Sequence, residues 1–160
     1  MTTERKYFYA KTATIAFQPD GGTAIDVGSL QNVEIRELAD YVELRSAGTN
    51  QRVDVAQHNQ RVEVTATINE IDMELIADIL SPSGTNWTSG TGTLSGIEDT
   101  DTASLFDVVA TVTSQSNKLL TVTVSNVYFP DIPVLVGTPG EWVGWELSGT
   151  GDDVSIVEAV

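Results

Sequence analysis

Cysteine is absent from this chain, and histidine occurs once, at His58. The first absence excludes disulfides, thiolate nucleophiles and cysteine metal ligands. The second leaves no histidine pair for a metal and no partner for a catalytic triad, so His58 reads as a solvated side chain. No apolar run reaches the roughly 18 residues that a membrane-spanning helix needs. Behind Met1-Thr2-Thr3-Glu4-Arg5-Lys6 there is no apolar stretch, so no secretory leader is expected there. No glycine-rich turn joins a strand to a helix, and no serine sits in a nucleophile elbow. Neither a cofactor nor a catalytic residue is therefore expected, and the chain reads as a non-enzyme.

Basic residues are also scarce. Eight Lys and Arg stand against 23 Asp and Glu, a net charge of −15, and the lysines are Lys6, Lys11 and Lys118 alone. A surface of this sign repels free nucleic acid and anionic membrane. An ordinary acidic protein would fit these numbers. A protein folded for molar salt, where the Debye length is about 3 Å and self-repulsion is screened, fits the low lysine content better.

What the chain does contain is β-patterning. At 160 residues with 41% hydrophobic side chains, it is long enough for one core and reads as a single domain. Thr12 to Phe17 alternates as a strand and ends at the turn Gln18-Pro19-Asp20-Gly21-Gly22. Two long runs follow, Gln31 to Arg45 and Gln60 to Ile68, on either side of a polar stretch at Gly48-Thr49-Asn50. Pairing Arg36 with Glu63 puts Val33 opposite Ala66, Ile35 opposite Val64, Leu44 opposite Val55 and Arg45 opposite Asp54. A register two residues over sets Arg36 against Arg61, Glu34 against Glu63 and Arg45 against Arg52, which like-charge repulsion disfavours.

Apolar parity changes within both arms, near Ala39-Asp40 and near Gln57-His58-Asn59. That change predicts a bend or bulge with the outer part, Tyr41 to Gln57, projecting from the body. The alternative is that 47–59 is simply a disordered polar loop. Asn69 is expected to cap a helix over about residues 70–81, with Glu70, Asp72 and Glu74 in its first turn. Its packing stripe is Ile71, Leu75, Ile76, Ile79 and Leu80, and Ser81-Pro82-Ser83-Gly84 stops it.

The stretch 84–104 is irregular and carries Trp87. Within it, Glu98, Asp99 and Asp101 are weak candidates for an oxygen-ligated cation, as is Asp152-Asp153, but no EF-hand pattern supports either. Leu105 to Thr113 and Leu119 to Phe129 form a second hairpin, with Leu120, Val122 and Val124 inward. Glu141 to Gly149 reads as a late strand, with Trp145 in the core and Trp142 at an interface. Gly149-Thr150-Gly151-Asp152-Asp153 reads as a turn, followed by an extended tail to Val160.

This order of elements resembles the major tail tube proteins of tailed phages and of tailed archaeal viruses. The carrying segments are Gly28 to Ile35, Arg61 to Ile71, and the Glu141 to Asp153 end with Glu-Trp-Val-Gly-Trp-Glu-Leu-Ser-Gly. The resemblance implies an antiparallel β-sandwich or barrel with one flanking helix and a long projecting hairpin. It implies homo-hexameric rings stacked into a virion tail tube, assembled in the host cytoplasm, with other tail proteins as partners and no membrane. DNA would pass transiently and non-specifically through the lumen during ejection.

On that layout 47–59 is the ring-stacking loop, carried by Arg45, Thr49, Asn50, Gln51, Arg52, Asp54 and His58. The arm 1–10 and the tail 150–160 would contact neighbours. Glu34, Arg36, Glu63, Thr65, Thr121 and Thr123 are lumen-facing candidates. The acidic bias would point to a virus of halophilic archaea. Rival readings are a carbohydrate-binding β-sandwich module of a virion or cell surface, and a small secreted halophilic enzyme.

Overall fold

The alternation of apolar and polar side chains in 62–68 builds the centre of the molecule. Val62, Val64, Ala66 and Ile68 are buried, while Arg61, Glu63, Thr65 and Thr67 between them are half-buried. The structure, a computed structural model, describes residues 10–27, 30–69, 72–96, 103–114, 117–133, 139 and 144–159.

The strands are β1 (Ala10–Pro19), β2 (Ile25–Asp26), β3 (Leu30–Arg45), β4 (Arg52–Ile68), β5 (Trp87–Thr88), β6 (Thr93–Leu94), β7 (Phe106–Ser114), β8 (Leu119–Asp131), β9 (Trp145–Gly151) and β10 (Asp153–Ala159), with one helix, α1 (Met73–Leu80), after β4. All pairings are antiparallel. The main sheet runs β2-β1-β7-β8-β9-β4-β3, with β10 also paired to β8, and β5-β6 form a separate small hairpin within the excursion after α1. The path is open at β2 and β3, so the sheet is not closed into a barrel.

One core holds the sheet together. Ile15, Phe17, Phe106, Val108, Val124 and Val127 from the β1-β7-β8 half meet Val62, Val64, Ala66, Ile68 and Leu147 from the β4-β9 half. Each of these side chains other than Ala66 contributes about 1.5–3 kcal/mol when fully buried. Phe129 joins Phe17 and Phe106 with ring centroids 5.6 and 5.7 Å apart, in tilted and edge-on contacts.

The two halves share a corner. β8 pairs with β10 over residues 119–125 and then with β9 at Tyr128 and Asp131, so β9 and β10 form one strand bent at Asp152. The Asp152 N–H donates to Ser125 O at 3.0 Å, and Asn126 beside it has φ +55°. Gly149 and Gly151 make this approach possible. A Cβ on Gly149 would lie 2.6 Å from Val127 Cγ1, and one on Gly151 would lie 2.6 Å from Val124 Cγ1. The expected turn over 149–153 is thus a bent strand. The stretch read as an extended tail is in this structure a sheet strand, β10, in register from Asp153↔Ser125 to Ala159↔Leu119.

The helix is shorter than expected and starts later. Asp72, not Asn69, is the N-cap, and its Oδ1 accepts from Glu74 N at 2.8 Å. A carboxylate at the N-cap that accepts from the amide two residues on satisfies an orphan donor and favours the helix dipole, which is why the start falls here. Leu75, Ile76 and Ala77 are buried, Ile79 packs on the core, and Leu80 is half-buried. Glu70 and Ile71 lie outside the described residues.

Candidate functional site

The β3–β4 ladder divides at a bulge. From Val33↔Ala66 through Glu34↔Thr65, Ile35↔Val64 and Arg36↔Glu63 to Leu38↔Arg61, the register is the one that charge and apolar pairing favour. The next pair is Asp40↔His58, so Ala39 faces two residues of β4. Asn59 there has φ +51°, a conformation that asparagine tolerates better than most side chains. Its Nδ2 donates to Asp40 Oδ2 at 3.1 Å, and Arg61 Nη1 lies 3.8 Å from Asp40 Oδ1. The bulge expected from the parity change is here, pinned by a side-chain triad that the sequence reading did not identify.

Beyond the bulge the expected pairing fails. Leu44 faces Asp54 rather than Val55, and Arg45 faces Arg52 rather than Asp54, with Val53 as a second extra residue. The turn imposes this. Ser46 N donates to Gln51 O and Asn50 N to Ser46 O, each at 2.9 Å, and Asn50 has φ +55°. Exposed like charges cost only a few tenths of a kcal/mol, and Glu43 offsets Arg45 from its own strand, 2.6 Å away. Hydrogen-bonded turn geometry therefore outweighs charge. Strand pairing resumes at Arg52, so most of the predicted loop 47–59 is ladder, and only 46–51 lies between the strands.

Among the described residues the outer ribbon has no third strand: β9 pairs with β4 only from Val62 onward. Arg45, Thr49, Asn50, Gln51, Arg52, Asp54 and His58 are all exposed on it. So are large apolar side chains on both faces: Val42 (57%) and Leu44 (61%) on one, Tyr41 (63%) and Val53 (64%) on the other. The residue pattern carried that signal, since apolar residues fall on both parities of a stretch otherwise polar.

The other predicted residues sit on the sheet face turned away from the core. Glu34↔Thr65 and Arg36↔Glu63 are cross-strand pairs, and Thr67↔Glu146 and Thr65↔Ser148 extend the same face onto β9. Arg36 turns along its own strand to Glu34, 2.6 Å away, rather than across to Glu63. Thr121 and Thr123 lie past the corner on β8, opposite Val157 and Ser155. Alternation from the buried Val124 puts them on the non-core side too. The predicted lumen residues thus share the non-core side of the sheet on both sides of the bend, where Val157 and Val109 stand opposite the two threonines.

At the end of this sheet away from the ribbon is a cavity of about 440 Å³, lined by Asp131, Pro133, Gly144, Glu146 and Ser148. Asp78, on α1, has its carboxyl raised above the ordinary range by burial first, then by the charges of Glu74 and Asp72. Glu98, Asp99, Asp101, Trp142 and the segment 1–9 lie outside the described residues. Among the described residues no three His, Cys, Asp or Glu side chains converge as metal ligands, Asp152-Asp153 included. No described helix is long and apolar enough to cross a membrane.

No family model and no curated protein matches the sequence. Solved structures do match the fold. A chain of the anti-feeding prophage baseplate superposes with TM-score 0.59 at 11% identity, covering 98% of this chain and 97% of that one. A chain of the sheath–tube complex of an extracellular contractile injection system, PVC, gives 0.59 at 13%, covering 98% and 95%. A chain of a native gene transfer agent virion gives 0.51 at 11%, covering 91% and 95%. This chain shares the fold of those particle components from end to end.

Proposed function

We propose that this chain is a structural virion protein that assembles into homo-hexameric rings stacked as a tail tube, a conduit for genome ejection. The single observation that carries the reading is the end-to-end fold likeness. It spans 98% of this chain and 95% of a chain from a sheath–tube complex, so the likeness is to the whole fold and not to one motif. The surface supports it. An open sheet with free edges and an apolar ribbon exposed on both faces is a poor design for an isolated monomer and a good one for a subunit.

In the ring, the polar face carrying Glu34, Arg36, Glu63, Thr65, Thr121 and Thr123 lines the lumen. Its acidic groups repel phosphate, so DNA slides without adhering. The ribbon, with Arg45, Thr49, Asn50, Gln51, Arg52, Asp54 and His58, reaches the adjacent ring. Segment 1–10 and β10 meet neighbouring subunits or other tail proteins. The net charge of −15 suits assembly in the salt-rich cytoplasm of a halophilic host.

The test is negative-stain microscopy of the purified protein across a salt series from about 0.1 M to several molar, the range over which screening becomes complete. Tubes or six-fold rings are expected, more abundant as salt rises. A strictly monomeric protein at every salt, or one that binds glycans as a monomer, overturns the reading.

A further inference from the structure

The ribbon and the remainder of the chain differ in charge. Residues 41–57 carry two acids, Glu43 and Asp54, and two bases, Arg45 and Arg52, so the whole net charge of −15 resides elsewhere. Arg36, Arg45, Arg61 and Lys118 each have a carboxylate within 4 Å, at Glu34, Glu43, Asp40 and Glu158. Among these described cations Arg52 alone has no ion pair, and it is held directly opposite Arg45. Arg45 is turned to Glu43, so Arg52 is the uncompensated charge at an exposed tip and attracts an acidic partner.

The same sheet presents such a partner at its other end. β4 runs from the tip at Arg52 to Ile68, where it pairs with Trp145. Glu146 follows on β9, opposite Thr67, and Asp131 lies opposite Ser148. Both carboxylates are exposed, line the 440 Å³ cavity with Pro133 and Gly144, and have no ion pair among the described residues. Tip and cavity therefore lie at opposite ends of one sheet, which cannot bring them together within a chain. A head-to-tail contact between copies can, and repeated it gives a stack.

We infer that the ribbon tip of one copy docks in the Asp131–Glu146 cavity of a second copy, with Arg52 as the charged anchor. The exposed Tyr41, Val42, Leu44 and Val53 are covered by the same contact. This rests on the tube reading and adds to it the receiving surface and the residue that selects it.

Charge reversal tests it. Arg52→Glu and Glu146→Arg are made singly and together, and each is checked for an unchanged melting profile, since both side chains are exposed. Sedimentable tubes are expected to fall roughly tenfold or more in each single variant, with rings retained, and to return in the combined variant. Arg52→Glu forming tubes like the parent, or a combined variant no better than the singles, overturns the docking while the tube reading stands. A parent protein that forms neither tubes nor rings overturns both. Because the chain has no cysteine, Gln51→Cys with Ser148→Cys, which leaves Arg52, Asp131 and Glu146 in place, gives a second readout with a short bis-maleimide. A multimer ladder in assembled parent-like tubes supports the contact, and its absence there overturns it.

Discussion

Asn59 Nδ2 donates to Asp40 Oδ2 at 3.1 Å across the point where the β3–β4 register steps from Leu38↔Arg61 to Asp40↔His58. The bond spans the two strands at Asn59, the one residue within β3 and β4 whose backbone is left-handed, with φ +51°. It separates a part of the hairpin anchored in the core from a part that has only its own ladder.

That separation predicts a local rather than a global phenotype. Asn59→Val puts a β-branched residue where the left-handed backbone costs about 1–2 kcal/mol, whereas Asn59→Gly removes that cost. A two-stranded ribbon is marginal on its own, so Asn59→Val should speed hydrogen exchange of ribbon amides roughly tenfold. The melting temperature of the body should hardly move. Equal exchange in the two variants would mean that the bulge does not control the ribbon.

The corner glycines predict the opposite, a loss shared by the whole fold. Gly149→Ala places a methyl 2.6 Å from Val127 Cγ1 and 2.9 Å from Phe129 Cε1, inside the core. Overpacking of this kind costs about 1–3 kcal/mol, so melting should fall by several degrees for a chain of this length. Gly151→Ala should behave alike. Gly48→Ala and Gly90→Ala meet nothing within 4 Å and serve as controls, with changes within about 0.5 kcal/mol. A Gly149→Ala protein that melts with the controls would place the corner wrongly.

These positions show where the sequence was readable. The inner hairpin register was legible because apolar pairs such as Ile35↔Val64 must face the core, and a one-residue slip would expose them all. The bulge was legible from the change in apolar parity. The tip was not: its register follows from hydrogen bonds within 46–51, which outweigh the exposed charges used to infer it. The corner was not legible either, because Gly149-Thr150-Gly151-Asp152-Asp153 has the composition of a turn. Only the space around each Cβ distinguishes a glycine needed for φ from one needed for close approach. The helix start was missed by three residues, since Asn69 and Asp72 are both good caps and only the bond from Glu74 N to Asp72 decides between them.

Asp78 yields a pH-dependent prediction. It sits one helical turn beyond Glu74, and burial together with the charges of Glu74 and Asp72 raises its carboxyl above the ordinary range. The folded chain thus holds this proton more tightly than the unfolded chain does. Stability falls as pH rises from the unfolded value through the raised folded one, and the penalty is complete above the latter. Asp78→Asn keeps the shape and removes the charge, and the backbone carbonyl that accepts from Ser104 Oγ at 2.7 Å is retained. The variant should therefore melt above the parent at pH 7, with the gap closing as pH falls to the ordinary carboxylate range. Asp72→Ala relieves part of the same repulsion but loses the cap, worth about 1 kcal/mol, so it should melt below Asp78→Asn throughout. Melting curves of the three proteins across that pH range decide the matter. A parent more stable than Asp78→Asn at neutral pH would mean that the ionised carboxylate stabilises the helix, reversing the sign assigned to its burial.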